Sequence, residues 1–246
     1  MFGAPGRRAV ESRLVPLRGE LDVDFCIVNG ENAAAGRGIT AKIADRLLAS
    51  GADVVTLGNW VWGQAGFAPY LSGTDRVIRP ANMSQRTPGT GLAVHDGVAV
   101  INLLGIFALT PFESPFFAAD RLVEEARRQT PVVVVDFHAE ATSEKVALAR
   151  YLDGRVTAVL GTHTHVQTND ARVLAGGTAA ITDAGMTGPH DSVIGSEDHA
   201  AITRFLTGMP TRLEPASRDV RIEGVLVDCD ADGRATECSA IRVEVD

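Results

Sequence analysis

The chain of 246 residues carries 31 acidic against 23 basic side chains, a formal net charge of -8 at pH 7, and is 45% hydrophobic. That charge excludes a protein that grips nucleic-acid duplexes nonspecifically, because such a protein needs basic surface to displace counterions from phosphates. Cys26, Cys229 and Cys238 are odd in number and lack CxxC spacing, which argues against a disulfide framework or a zinc knuckle; no apolar run approaches the roughly 20 residues of a membrane span.

The opening stretch MFGAPGRRAVESRLVPLRG lacks the continuous apolar core of a secretory signal, so the expected location is the cytoplasm. Along the chain, VDFCIVN (23–29) reads as a strand in which Cys26 packs as a small hydrophobe. The helical pattern TAKIADRLLAS (40–50) and the strand ADVVTLGN (52–59) follow, then the strand VAVINLLG (98–105) and the helix AADRLVEEARRQ (118–129), whose acidic pair reads as a wet face. Next come the strand PVVVVDFH (131–138), the helix SEKVALARYLDG (143–154), and the strands VTAVLGTH (156–163) and TAAITDAG (178–185). Thr142 and Ser143, ahead of Glu144, read as a helix cap. Several of these strands are apolar throughout, as strands covered on both faces are. The tail, 219–246, alternates polar and apolar around Asp-Gly and reads as a hairpin with one wet face. Strands alternating with helices give an α/β class. With no repeat or linker, residues 1–246 read as one domain.

Ligands of open α/β sheets collect at the carboxyl ends of strands, and here those ends are polar. The first expected strand leads into Glu31 and Asn32, the second ends at Asn59, the fourth at His138, and the fifth at His163 with His165 close behind. Histidine, carboxylate and amide together suit a borderline to hard divalent ion such as manganese, iron or zinc. A carboxylate such as Glu31 can bridge two ions about 3.5–4 Å apart, the clamp used for displacement at phosphorus. Taken singly, His95 and His190 read as hydrogen-bonded structural residues, and His199 as a solvated residue or part of a helix start. Thr162 and Thr164 are placed to orient the histidines. Arg79 and Asn82 in RPAN are candidates for touching substrate, although Pro80 also makes this a plain turn.

The blocks NGENAAAGRGIT, GADVVTLGN, RPAN, GTG, DFHAEATSEK, GTHTHVQT and ITDAGMTGPHDSVIG resemble the bacterial metallophosphoesterases described as 2',3'-cyclic-nucleotide 2'-phosphodiesterases, the YmdB type. The resemblance runs from about residue 2 to the C-terminus. It implies a calcineurin-like α/β fold, two mixed β-sheets flanked by helices in an α/β/β/α sandwich, around two divalent ions. By the same resemblance Glu31 bridges the ions with Asn32 beside it, Asn59, His138 and His163 serve one ion, and His165 serves the other. A metal-bound hydroxide would then attack a nucleotide or other small phosphodiester and leave a phosphomonoester. No membrane or duplex partner is implied, and homo-oligomer formation is left open.

Two departures qualify that expectation. The family begins with a strand ending in Gly-Asp, whose aspartate binds the ion served by His165, and this first strand is missing from the chain. Met1 stands where the family has Val, so a GTG codon taken as the start is expected, with the strand encoded upstream in frame. The family also has Gly-Asn-His where this chain has Gly58-Asn59-Trp60. Indole is a donor without an accessible pKa, so it cannot act as the acid beside the leaving oxygen. His190 would then be a candidate acid; alternatively the chain is a weakened relative that binds metal or nucleotide as a regulator, with Trp60 and Trp62 as stacking surfaces. The plainest reading makes Trp60 packing filler.

Overall fold

The computed structural model describes residues 1–245. After helix α1 (Gly3–Glu20), the strands β1 (Ile27–Asn29), β2 (Val54–Thr56) and β3 (Val77–Ile78) form a small parallel sheet, with α2 (Ala41–Ala49) and α3 (Phe67–Ser72) as its crossovers. The start of α2 is set by Thr40, whose hydroxyl accepts from the Ile43 N–H at 3.3 Å, satisfying one of the donors a helix leaves orphaned at its first turn.

The central sheet has six strands in the order β4-β5-β6-β7-β9-β8. They are β4 (Leu92–His95), β5 (Val98–Leu104), β6 (Val132–His138), β7 (Ala158–Thr162), β8 (Arg172–Val173) and β9 (Ala179–Ile181), with α4 (Pro115–Arg127) and α5 (Thr142–Tyr151) as crossovers. The inner four strands are parallel, and the edge strands β4 and β8 run antiparallel. Because side chains alternate across a strand, an apolar run feeds two cores at once. Ala99, Ile101, Leu103, Val135 and Phe137 face α4 and α5, while Val100, between Ala99 and Ile101, meets Val54 and Ile78 of the small sheet. Each large apolar side chain buried this way contributes about 1.5–3 kcal/mol.

The chain closes with β10 (Gly188–Pro189), α6 (Asp198–Thr207) and the hairpin β11 (Val220–Cys229) and β12 (Ala235–Glu244), which together with β10 form a third, antiparallel sheet. Ala158 and Ala179 of the central sheet pack on Ala235 of the hairpin, and Ala9 and Leu17 of α1 cover its other face at Ile222. The result is the expected α/β/β/α sandwich, with its second β layer split into two three-stranded sheets. Residues 1–3 lie between them: the Met1 amine donates to Asn29 O at 3.0 Å, Phe2 N–H to Thr187 O at 2.8 Å and Gly3 N–H to Asn32 O at 2.9 Å.

Sequence expectations of two kinds are corrected. Three strands are much shorter than expected: Ile27–Asn29 rather than 23–29, Val54–Thr56 rather than 52–59 and Ala179–Ile181 rather than 178–185. Thr142 and Ser143 do not cap α5: the helix begins at Thr142 with Ala141 at the N-cap position and no side-chain cap bond. Glu144 instead reaches out of the first turn and accepts the Ile106 N–H at 2.7 Å. Among the described residues no helix is long and apolar enough to cross a membrane.

Candidate metal centre

Four parallel strands of two facing sheets bring their carboxyl ends together. Glu31 lies just past β1, Asn59 just past β2, His138 closes β6, and His163 follows β7. The register opposes His138 to Thr162, so the two histidines are neighbours across β6 and β7. On the Nε2 of His138 converge Glu31 Oε2 at 2.7 Å, Asn59 Oδ1 at 3.0 Å and His163 Nδ1 at 3.0 Å. Gly58 makes this approach feasible, because a Cβ there would fall 2.5 Å from His138 Nε2 and 2.6 Å from Glu31 Oε1.

Hydrogen bonding on the far side of each ring shows what the near side offers. The Thr162 hydroxyl donates to Asp136 Oδ1 at 2.7 Å, so its oxygen accepts from His138 Nδ1 at 3.0 Å. In the neutral ring that bond puts the His138 proton on Nδ1 and leaves a lone pair on Nε2. His163 Nε2 faces Glu140 Oε2 at 3.0 Å, which leaves its Nδ1 as a lone pair too. Four lone-pair atoms therefore crowd one point. One proton satisfies a single pair among them, whereas one divalent cation serves all four. The same conflict recurs nearby: His165 donates from Nδ1 to Ile194 O at 3.0 Å, and its Nε2 stands 3.2 Å from Asn32 Oδ1, another acceptor. The Asn32 amide is oriented by its bond to Gly36 O at 2.9 Å. The cluster of Glu31, Asn59, His138 and His163 thus suits a divalent cation, and Asn32 with His165 forms a second pair of facing acceptors beside it.

Titration follows the same geometry. Burial opposes ionisation of Glu31, but His138 and the Trp60 N–H, 2.6 Å from Oε1, outweigh it and hold the carboxyl below its ordinary range. Burial likewise opposes charge on His138, and Glu31 overrides it, raising that pKa. His163 is pushed down to about 4 by burial and by His138 beside it, and burial lowers His165 as well. Both are neutral near pH 7, the form in which imidazole binds metal. His163 and His165 also sit at φ 108° and 64°, a left-handed backbone that costs a non-glycine residue about 1–3 kcal/mol and concentrates at functional sites.

The other sequence candidates separate cleanly from this cluster. Arg79 is turned inward and donates to the carbonyls of Pro88, Pro80 and Thr87 at 2.9, 2.8 and 3.1 Å. Asn82, fully buried, bonds the Leu104 N–H and the carbonyls of Leu104 and Glu113. The side-chain polar atoms of Arg79 and Asn82 are engaged by backbone groups and fasten a loop. His190 bonds Gly188 O and faces Glu223 Oε2 at 3.2 Å, touching none of the ligand candidates. Thr162 bonds a histidine ring directly, whereas Thr164, between His163 and His165, touches neither ring and bonds Asp183. Asp136 was missed by sequence reasoning, although its position two residues before His138 on one strand already placed both on the same face. Trp60 and Trp62 are partly exposed at the rim, and Arg37 lies over the Trp60 ring.

A model of the YmdB-like protein family matches residues 1–241. The 2',3'-cyclic-nucleotide 2'-phosphodiesterase of Bacillus subtilis strain 168 is 46% identical over 234 residues, which span 94% of this chain and 89% of that protein. Among solved structures, a hypothetical protein from Thermus thermophilus superposes with a TM-score of 0.92 at 40% identity, over 99% of this chain and 96% of that one. A phosphatase from Mycoplasma pneumoniae superposes with a TM-score of 0.91 at 33% identity, over 100% and 91% of the two chains.

Proposed function

The chain belongs to the YmdB-like family and has a metallophosphoesterase fold, and on that premise we propose that residues 1–246 form one metal-dependent phosphodiesterase domain acting on 2',3'-cyclic nucleotides. The observation that carries this is the meeting of lone pairs on His138 Nε2, from Glu31, Asn59 and His163. In this reading water adds to phosphorus, one P–O bond to the ribose breaks, and a phosphomonoester with a freed hydroxyl remains.

Two divalent ions, drawn from manganese, iron and zinc, would supply Lewis-acid charge for the phosphoryl oxygens and acidify the attacking water when bound. Glu31, Asn59, His138 and His163 would hold one, and Asn32 and His165 the other, with Glu31 between them. Thr162 and Asp136 keep the His138 proton on Nδ1 and so keep Nε2 available. The Trp60 N–H holds Glu31 Oε1, which fixes the carboxylate plane. The exposed rings of Trp60 and Trp62 offer faces on which a base can stack for about 1–3 kcal/mol.

A second reading, a regulator that binds metal or nucleotide without turnover, is favoured by one observation. The side chain after Asn59 is an indole under Arg37, which donates no proton at neutral pH. Manganese-dependent hydrolysis measured on a 2',3'-cyclic nucleotide and on an aryl phosphodiester separates the two. The enzyme reading expects turnover of both. Tight nucleotide binding with turnover of neither supports the regulator, and a chain that takes up no metal and binds no nucleotide removes both.

A further inference from the structure

Beneath the segment that carries His163 and His165 lies a fully buried ion pair that the chemistry above does not use. Lys145 Nζ, from α5, is 2.8 Å from Asp183 Oδ2, and the two side chains are 3% and 1% exposed. The same Oδ2 accepts from the Thr164 N–H at 3.0 Å and from the Thr164 hydroxyl at 2.8 Å. Thr164 is the residue between the two histidines. The rest of the segment is fastened to the same place: Thr168 N–H donates to Asp183 O at 3.1 Å, and Asp183 N–H to Thr168 Oγ1 at 2.9 Å. Gly161 lets β7 close on the chain before Asp183, since a Cβ there would lie 1.9 Å from Thr182 O, and it leaves room beside Lys145, whose Cδ would be 3.0 Å away.

A buried carboxylate is tolerated when it is paired and hydrogen-bonded, and Asp183 is both. What it holds is a turn whose two histidines have left-handed backbones, at φ 108° and 64°. Such a turn relaxes unless its surroundings fix it. The anchor at Thr164 is the bond nearest both strained residues.

We propose that Asp183, backed by Lys145, is a positioning residue for the metal centre: through Thr164 it holds His163 and His165 in the left-handed turn that aims one ring at each cation. The inference rests on the metal reading above. Partners that orient ligating residues typically change metal affinity by about 10–100-fold when removed, and that range is expected here.

The test is Mn2+ titration of the whole chain, followed by the electron paramagnetic resonance signal of the bound ion, for the wild type and for Thr164→Val, Thr164→Ser and Asp183→Asn. Thr164→Val keeps the N–H bond and the shape while deleting the hydroxyl bond, so folding is spared. It is expected to weaken Mn2+ binding about 10-fold and broaden the bound spectrum, Asp183→Asn about 100-fold, and Thr164→Ser to restore wild-type values. A core variant that touches no ligand candidate, Val135→Ala, is expected to lower Tm and still bind Mn2+ like the wild type. Wild-type uptake with unchanged affinity and spectrum in both Thr164→Val and Asp183→Asn would overturn the positioning role alone, as would losses matched by Val135→Ala. A wild type that takes up no Mn2+ would overturn the metal reading and this inference with it.

Discussion

The guanidinium of Arg37 lies 4.2 Å from the centre of the Trp60 indole, while the backbone N–H of Trp60 holds Glu31 Oε1 at 2.6 Å. One residue therefore serves the candidate metal centre through its main chain and the rim through its side chain. The two services can be changed separately.

Trp60→His leaves the N–H bond to Glu31 in place and adds an imidazole beside Asn59. Mn2+ affinity is expected to stay within about twofold. General acid help is worth roughly 10²–10⁴ in rate, and it matters most for a leaving group as basic as a ribose hydroxyl. Turnover of a 2',3'-cyclic nucleotide should rise by at least about 10-fold more than turnover of an aryl phosphodiester. Equal gains on both substrates would show that position 60 does not handle the proton.

Gly58→Ala tests the close approach at the centre. The added Cβ would meet His138 Nε2 at 2.5 Å and Glu31 Oε1 at 2.6 Å, so either the strand end or both side chains must move. A ligand displaced by this much is expected to lower Mn2+ affinity by more than about 10-fold while far-UV circular dichroism stays that of the wild type. The stabilisation that metal gives the folded state follows its affinity, about 2.7 kcal/mol at a free concentration of 100 times Kd. The rise in Tm on adding Mn2+ should thus shrink in the variant, and an undiminished rise would count against the centre being at this corner.

Much of this was legible in one dimension, for reasons that can be stated residue by residue. The runs at 98–104 and 132–138 are apolar because both faces are covered, so they read as strands without any partner in view. Asn59 and His138 are 79 positions apart, yet both stand at the carboxyl ends of strands, and parallel strands in an α/β fold deliver their ends to one side. What spacing could not show is where a long side chain turns. Arg79 reads as a candidate for touching substrate and is sunk among three carbonyls; Glu144, which follows the expected cap at Thr142 and Ser143, reaches the loop after β5. The Lys145–Asp183 pair joins residues 38 apart, and no local pattern marks it. Such contacts depend on three-dimensional packing that leaves only single residues behind in the sequence.

Thr162→Val removes the hydroxyl that links His138 Nδ1 to Asp136 and preserves volume. His138 loses the acceptor that fixes its tautomer, and Asp136, which burial already pushes up, loses a donor. Mn2+ affinity is expected to fall about 10–100-fold, with Thr162→Ser close to the wild type. Titration calorimetry with Mn2+ measures this directly, and an unchanged affinity in Thr162→Val would show that the tautomer is set by other means.

Asn82→Ala and Arg79→Met separate a fastening role from a substrate role. Asn82→Ala strands the Leu104 N–H, which now donates to Asn82 Oδ1 at 2.8 Å in the interior. A buried donor left without a partner costs about 1–3 kcal/mol, and that is the expected loss in urea unfolding. Arg79→Met removes donors from three carbonyls in the same loop and should lose a similar amount or more. Neither change reaches the lone-pair cluster at His138, so KM for a small phosphodiester is expected to hold within about twofold wherever the variant is folded. A KM raised 10-fold at unchanged stability would return these two residues to the substrate.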